Sequence, residues 1–387
     1  MKKKVLLAVS LFHSLNDAAT ITVPMVFPLL YSQQFIIQKY YHIGILSYLG
    51  FCMTFIFHLI VANFSDKFDY KYLILISYLG ICLSLLSITF TSVFAGFLLI
   101  YLIFRAFTSF YHPIGIAWVS KTHPSRGIDF AMGVQSGSGN LGVLIAFISI
   151  GYLAQNFNWK VPLITWAVAG FMLGSTSFFL VRKTLTKSEQ FIKPDLASWI
   201  ETLKILKIYI PGFIFGGACW GITVFYAPSL LHHKFKIEMG KTGLNLALWI
   251  AIGTVTTYLF GYLSRRFGRL KISLFGFTGT SLFLFVLGTA AEPVQAVIGL
   301  LCFGGFLFLT YPALNSYVGN IAPLKNQAQA FSLTANIQVL TAATGNLIAG
   351  FLSDKFGINS PFLFLGVIGV FISIFYLSIR SKLYVVS

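Results

Sequence analysis

Polar residues interrupt an apolar stretch near the start of the chain. Residues 12 to 24 read FHSLNDAATITVP, and they place His13, Asn16 and Asp17 inside an otherwise apolar run that extends from residue 5 to residue 31. An ionisable side chain at bilayer depth costs at least ~2.5 kcal/mol on the insertion scale, so it generally faces a cavity or a partner. His13 and Asp17 are four residues apart and share one helical face, which continues to Thr20. This face is a candidate for proton transfer or ligand binding.

A second ionisable group, Arg105, stands in another apolar stretch, with Thr108 and His112 on its helical face. Asp17 and Arg105 have opposite charges and a similar expected depth, which predicts an ion pair between them. We expect Asp17 to carry a proton, His13 or His112 to assist, and Arg105 to make its release depend on conformation or ligand. The structural alternative is a static ion pair that only fixes helix packing.

The elements that carry these residues are predicted to be transmembrane helices. The chain has 387 residues, of which 57% are hydrophobic and 10% charged, whereas a soluble domain has about 25% charged residues. Apolar runs long enough to span a bilayer as helices recur along the whole chain. Twelve are predicted, at residues 5–31, 42–63, 72–90, 94–118, 129–154, 160–182, 208–231, 242–263, 271–290, 294–318, 327–352 and 361–380.

The net charge of +17 follows the predicted topology. Most Lys and Arg residues fall on the side that holds both termini, which the positive-inside rule assigns to the cytoplasm. The charge therefore predicts a multi-pass protein of the cell membrane, with lipid and no nucleic acid as its partner. The opening MKKKVLLAVSLF also resembles a signal peptide, but its removal would leave eleven spans, so we expect it to be retained. The four cysteines lack metal-ligand spacing.

A polar segment near the middle separates six spans from six. It predicts an N-terminal six-helix bundle at 1–182, a cytoplasmic linker with an interfacial helix at 183–207, and a C-terminal six-helix bundle at 208–387. The halves superpose with a shift of 199 residues, which aligns Gly151 with Gly350 and Pro113 with Pro312. Such a parallel repeat predicts two bundles with a central site.

Two loops in this register carry a recognisable signature. ANFSDKFDYKYL follows the second span and GYLSRRFGRLKI follows the eighth; both resemble the GxLxDrxGrr loop of the major facilitator superfamily. The resemblance implies that Asp66 and neighbouring charges gate the cytoplasmic side, with Asp66 favoured at a helix N-terminus. The gating residues expected on this basis are Asp66, Lys67, Lys71, Arg126, Arg265 and Arg269.

The first half also resembles the fosmidomycin-resistance branch of that superfamily. The carrying segments are FHSLNDAATITVPMVFPLL, FRAFTSFYHPIGIAWVSK and RGIDFAMGVQSGSGNLGVLIA. The branch implies proton-driven efflux of a drug or another small molecule. Aligned with its motifs and with the polar faces of the spans, the expected substrate-binding residues are Asn16, Thr20, Thr108, Gln135, Ser138, Trp220, Tyr226, Tyr311, Asn315, Asn336 and Gln338.

The leading interpretation is a monomeric secondary transporter that exports a small amphipathic or anionic molecule in exchange for protons, without a cofactor. An anionic group of the substrate would reach Arg105. A proton-coupled or passive importer of an organic anion or sugar uses the same fold, and a divalent-metal carrier using His13, Asp17 and His112 is a third possibility. A non-transporting sensor would lack polar groups in the cavity. Walker A, Rossmann and HExxH motifs are absent from the sequence, so an enzyme is not expected.

Overall fold

The regular elements of the described chain are all helical. The computed structural model describes residues 2–64, 68–123, 128–184, 196–322 and 327–379. Within those ranges, twelve helical spans are long and apolar enough to cross a membrane. The predicted all-α membrane class is therefore confirmed.

Six spans precede the linker and six follow it. The first half contains α1 (Lys2–Ser32), α2 (Tyr40–Phe64), α3 (Tyr70–Ile88), α4 (Phe94–Thr108), α5 (Tyr111–Thr122), α6 (Ile128–Asn156) and α7 (Lys160–Val181). The short α8 (Leu196–Leu206) leads to α9 (Ile210–Ser229), which continues into a π-helical turn (Leu230–Lys234). The second half ends with α10 (Met239–Phe267), α11 (Arg269–Thr289), α12 (Pro293–Ile321), α13 (Gln327–Phe356) and α14 (Ser360–Ser378).

The fourth predicted span is broken into α4 and α5 at Ser109 and Phe110. Pro113 has no backbone N–H, so it cannot bond the Ser109 carbonyl, and its ring crowds that carbonyl. In the second half, the equivalent Pro312 lies inside the unbroken α12. There the carbonyl that the proline leaves free, on Phe308, accepts a hydrogen bond of 3.2 Å from the Thr257 hydroxyl. The same hydroxyl lies 3.0 Å from the Gly253 carbonyl of its own helix, so its one proton is shared between the two carbonyls.

The contacts divide the chain into two compact units. Unit 1 comprises residues 1–38, 49–192 and 238–247, and unit 2 comprises residues 39–48, 193–237 and 248–387. The sequence-based boundaries thus differ from the compact units at two short segments. Residues 39–48 of α2 belong to unit 2, and residues 238–247, which include the start of α10, belong to unit 1.

Side-chain caps hold both of these segments. In unit 2, the Asp354 carboxylate accepts hydrogen bonds of 2.9 Å from the backbone N–H groups of Tyr40 and Tyr41, at the start of α2. In unit 1, Gln155 Oε1 accepts one of 2.8 Å from the N–H of Gly240, at the start of α10. The first N–H groups of a helix have no intrahelical acceptor, so these caps satisfy them.

In unit 1, α1 packs against α6 and α7, and α3 packs against α4 and α7. Small residues allow α1 and α6 to approach closely: a Cβ added at Gly142 would lie 2.2 Å from the Ser14 carbonyl oxygen. In unit 2, α9 packs against α13, and α11 packs against α12 and α14. Glycine again permits the approach, since a Cβ at Gly217 would lie 2.5 Å from the Gln338 carbonyl oxygen.

The predicted linker is only partly described, because residues 185–195 lie outside the described ranges. Its helix is present as α8. Leu206 is buried, whereas Ile200 and Leu203 are exposed. An apolar exposed edge of this kind fits the predicted position at a membrane surface.

Candidate functional site

The centre of the candidate site is an ion pair on α1. His13 Nε2 lies 3.0 Å from Asp17 Oδ2. The other ring nitrogen, Nδ1, lies 2.8 Å from the backbone carbonyl oxygen of Gln135 on α6. Because both nitrogens of His13 face oxygen acceptors, the pair can hold a proton between the imidazole and the carboxylate.

His112 and Asn16 complete the surroundings of this carboxylate. His112 Nε2, from the start of α5, is 3.8 Å from Asp17 Oδ1, and Asn16 Nδ2 donates to the same oxygen at 3.3 Å. The exposed fraction of the side chain rises from 9% for His13 to 24% for Asp17 and 45% for His112. The His13 side of the pair is therefore enclosed, and the Asp17 side, next to His112, is more exposed.

A buried shell supports the enclosed end. The ring of Tyr111 stacks on that of His13, with centroids 4.3 Å apart and planes at 18°. Gln135 Nε2 donates a hydrogen bond to the Tyr111 hydroxyl. Both residues are almost fully buried. Tyr111 was not among the predicted site residues, although its place directly before His112 and Pro113 in the sequence is a usable signal.

Gly139 on α6 makes room for the pair. A Cβ at this position would lie 2.7 Å from His13 Nε2 and 2.8 Å from Asp17 Oδ2. These approaches are shorter than real Cβ contacts, so any side chain here would push the two groups apart. The close approach at Gly139 is thus made by α1.

The other hydroxyls predicted for unit 1 bond to their own helices. Thr20 Oγ1 donates to the Asp17 carbonyl at 2.7 Å, Thr108 Oγ1 to that of Arg105 at 3.0 Å, and Ser138 Oγ to that of Gln135 at 2.6 Å. Each oxygen retains acceptor capacity for a ligand. Their predicted role in substrate binding stays a prediction.

The predicted Asp17–Arg105 ion pair is wrong. Asp17 pairs with His13, while Arg105 donates through Nε to the Gly50 carbonyl at 3.5 Å and places its guanidinium 4.8 Å from the centre of the Phe51 ring. Arg105 is 5% exposed. Within the described ranges, it has no carboxylate at ion-pair distance. Depth and charge suggested the pairing, but the two side chains turn to different neighbours.

His58 on α2 is an ionisable residue near the site that the predictions omitted. Its ring centroid lies 5.9 Å from that of His112, with the planes at 87°. His58 Nε2 is buried and has no hydrogen-bond partner among the described residues. A histidine within the otherwise apolar run 42–63 is the signal that would have identified it.

The residues predicted in the second half are spread through unit 2. The ring centroid of Trp220 lies 5.5 Å from that of Trp249 and 6.2 Å from that of Phe308. The Tyr311 and Tyr226 hydroxyls donate to backbone carbonyls, at 2.9 Å to Gly216 and 2.7 Å to Asn346. Tyr226 is fully buried, so its hydroxyl serves helix packing. Asn315, Asn336 and Gln338 are at least partly accessible.

Half of the predicted gating residues can be located. Asp66, Lys67 and Arg126 lie outside the described residues. Lys71 Nζ forms an ion pair of 3.0 Å with Asp69 and donates to the Thr184 carbonyl at 3.3 Å. Arg265 and Arg269 bond to carbonyls of Gly261 and Ser316, at 3.0 and 3.5 Å. The Arg265 bond lies within α10 and the Arg269 bond joins α11 to α12. Gating stays a prediction.

The three ionisable residues around the ion pair also offer ligand atoms for a divalent cation. His13, Asp17 and His112 each offer one nitrogen or oxygen, all within 4.8 Å of one another. Asp17 is already engaged by His13, and no second described carboxylate joins the three. We therefore interpret the cluster as a hydrogen-bonded ion-pair network.

The chain matches the major facilitator superfamily over residues 7–345 and 242–384. The chain belongs to this superfamily. A bacterial homologue of the human lysosomal transporter Spinster, in an inward-facing, unoccupied conformation, has the same fold, with a TM-score of 0.80, 14% identity, and coverage of 99% of this chain and 98% of that one. The chain therefore has the all-helical fold of this superfamily, with twelve candidate membrane spans in its described ranges, as predicted.

Sequence relatives in this superfamily are distant. A candidate proline/betaine transporter of Staphylococcus aureus is 26% identical over 259 residues, which cover 61% of this chain and 54% of the relative. The nitrite extrusion protein of Bacillus subtilis is 25% identical over 242 residues, 60% of this chain and 57% of the relative. The chain thus spans about half the length of these relatives.

Proposed function

We propose that this superfamily member exports a small amphipathic or anionic molecule across the cell membrane in exchange for protons, as a monomer and without a cofactor. The observation that carries the proposal is the His13–Asp17 pair with His112 beside it. Asp/Glu/His groups at membrane depth are the usual elements of proton relays. The motifs shared with the fosmidomycin-resistance branch support export, as does the relative named for nitrite extrusion.

The pair offers a simple coupling cycle. With the carboxylate of Asp17 ionised, His13 and Asn16 hold it by charge-assisted hydrogen bonds. A proton added to Asp17 removes the charge that attracts the histidines, so the network changes between the two protonation states. Alternating access between two bundles then carries the proton in one direction and the substrate in the other.

Import is the second candidate. The Staphylococcus aureus relative is named as a candidate transporter of proline and betaine, without a direction. The same ion pair serves a proton symporter that takes up an organic anion or sugar. A divalent-metal carrier is the third candidate, supported by the 4.8 Å spacing of the ligand atoms in the cluster.

The direction of an imposed pH gradient distinguishes these candidates in proteoliposomes. The compounds tested are nitrite, glycine betaine, a phosphonate, a hydrophobic drug, a sugar and Zn²⁺. Proton antiport predicts accumulation of one compound when the lumen is acidic, whereas symport predicts accumulation when the external medium is acidic. Accumulation of Zn²⁺ alone would favour the metal carrier, and no gradient-driven flux of any compound would refute coupled transport.

Asp17→Asn tests the residue that carries the proton. We expect gradient-driven accumulation to be lost, because the amide cannot be protonated at working pH. Glu292→Gln is the matched control, since that carboxylate is exposed at the start of α12 and should be dispensable. Full proton-driven transport by Asp17→Asn would overturn the assignment.

A further inference from the structure

We propose that Arg105, His58 and His112 form an oxyanion-binding site in unit 1 that takes the anionic head group of the transported molecule. The inference rests on the proposed function, because it names the substrate class that the transporter carries. Three helices supply the residues: α2 gives His58, α4 gives Arg105 and α5 gives His112.

Arg105 supplies the fixed positive charge. The guanidinium has five N–H donors, and the hydrogen bond to Gly50 uses only Nε, at 3.5 Å. Phe51 covers one face of the group at 4.8 Å. A cation that is 5% exposed and has no described carboxylate partner is costly. An oxyanion bound to the remaining donors removes that cost and satisfies them together.

His58 supplies an unused polar atom. Its Nε2 is enclosed and has no hydrogen-bond partner in the part of the chain that the structure describes, although the residue as a whole is partly accessible. The groups that act on it electrostatically are His112 on α5 and Arg105 on α4. A buried donor or acceptor without a partner costs about 1–3 kcal/mol, so a ligand oxygen at Nε2 would be stabilising.

The sequence repeat has no basic residue at the positions equivalent to His58 and Arg105. At the shift of 199 residues, His58 aligns with Thr257, whose hydroxyl bonds the Phe308 carbonyl. Arg105 aligns with Gly304, where Trp249 fills the space: a Cβ there would lie 2.2 Å from the indole. Unit 2 therefore uses a hydroxyl and an indole for packing where unit 1 places two bases.

The surroundings restrict the ligand class. A guanidinium recognises carboxylate, phosphonate and similar oxyanions through two parallel hydrogen bonds. His112 connects the site to the ion pair, since its ring centroid lies 5.9 Å from that of His58 and its Nε2 lies 3.8 Å from Asp17 Oδ1. A bound anion thus shares His112 with Asp17, which places substrate and proton at neighbouring positions.

Binding to the purified full-length protein tests the site. The probes are nitrite, benzoate and phenylphosphonate, with benzamide as the neutral counterpart of benzoate, and the readout is calorimetric affinity. We expect at least one anion to bind the wild type and benzamide not to bind. Arg105→Gln should weaken anion binding by roughly 10-fold to 100-fold, the loss of hydrogen bonds to a charged group.

Conservative variants separate binding from folding. Arg105→Lys keeps the charge but loses the two-pronged geometry and should bind at intermediate strength. His58→Gln keeps an N–H donor and should bind more tightly than His58→Leu. Arg182→Gln is the control, because that arginine is exposed at the end of α7. Thermal unfolding of each variant shows that it is folded.

The outcomes distinguish this site from the proposed function. The site is wrong if none of the three anions binds the wild type, or if they bind Arg105→Gln with wild-type affinity. In that case, Asp17-dependent, proton-driven transport of a neutral compound would still support coupling. Anion binding as expected, without transport under any pH gradient, would support the site and refute the coupling.

Discussion

At the scale of the residue, the site depends on a glycine as much as on charged groups. Gly139 leaves space in which His13 and Asp17 meet at 3.0 Å. The Asp17 side chain is 24% exposed, whereas that of its partner His13 is 9% exposed. The contact is therefore enclosed on the histidine side and more open on the carboxylate side.

Gly139→Ala should uncouple transport without unfolding the protein. The new methyl group would meet the ends of two side chains at 2.7–2.8 Å, so these would separate while the helices stay in place. Losing a charge-assisted hydrogen bond should lower proton-driven flux roughly 10-fold or more. Flux in proteoliposomes and the unfolding temperature are measured together.

Gly133→Ala on the same helix is the matched control for that change. Among the described residues, a Cβ at Gly133 would meet nothing within 4 Å outside the backbone of its own helix, so transport should stay at the wild-type rate. Equal flux in Gly139→Ala and Gly133→Ala would show that the space at Gly139 has no role in coupling.

At the scale of the element, the break between α4 and α5 positions the site. It places Tyr111 on the ring of His13 and turns His112 toward Asp17. The equivalent proline of α12 produces no break, and the carbonyl that it leaves free has the Thr257 hydroxyl as a neighbour. The same residue type thus has two outcomes in the two halves.

Pro113→Ala should make the fourth span more regular and the transporter less active. Alanine restores an N–H that can bond the Ser109 carbonyl, worth about 1 kcal/mol, so the unfolding temperature should stay the same or rise. Flux should fall, because His112 moves relative to Asp17. Pro293→Ala, at the first turn of α12, should change neither property. A fully active Pro113→Ala protein would contradict this role of the break.

At the scale of the whole molecule, the repeat explains how the two exchanged segments are held. Residues 39–48 and 238–247 are related by the shift of 199 residues, and so are their caps, Asp354 and Gln155. One cap is a carboxylate with two hydrogen bonds and the other an amide with one. The charged cap also interacts favourably with the positive end of the helix dipole.

Asp354→Ala should loosen the start of α2. Loss of a helix cap costs about 0.5–2 kcal/mol, so amide hydrogen exchange at Tyr40 and Tyr41 should accelerate roughly 2-fold to 30-fold. Gln155→Ala should accelerate exchange only around Gly240. Unchanged exchange at Tyr40 and Tyr41 in Asp354→Ala would show that other contacts hold the segment.

Sequence reasoning predicted the spans well because each had to be apolar for about 20 residues, a strong local signal. It also identified His13, Asp17 and His112, because ionisable residues stand out in such runs. The partner of Asp17 was not predictable from depth and charge alone, since Arg105 turns to Gly50 and Phe51. Partner choice depends on side-chain direction and local space, which a sequence pattern does not specify.

The two exchanged segments follow the pattern of a domain-swapped dimer. Two identical half-length polypeptides that trade the same stretch form a domain-swapped dimer, and residues 39–48 and 238–247 trade places in this manner. A gene cut between residues 184 and 196 would encode two fragments, each lacking a segment of its own compact unit. We expect them to accumulate in membranes only when they are co-expressed, and stable accumulation of either fragment alone would contradict this expectation.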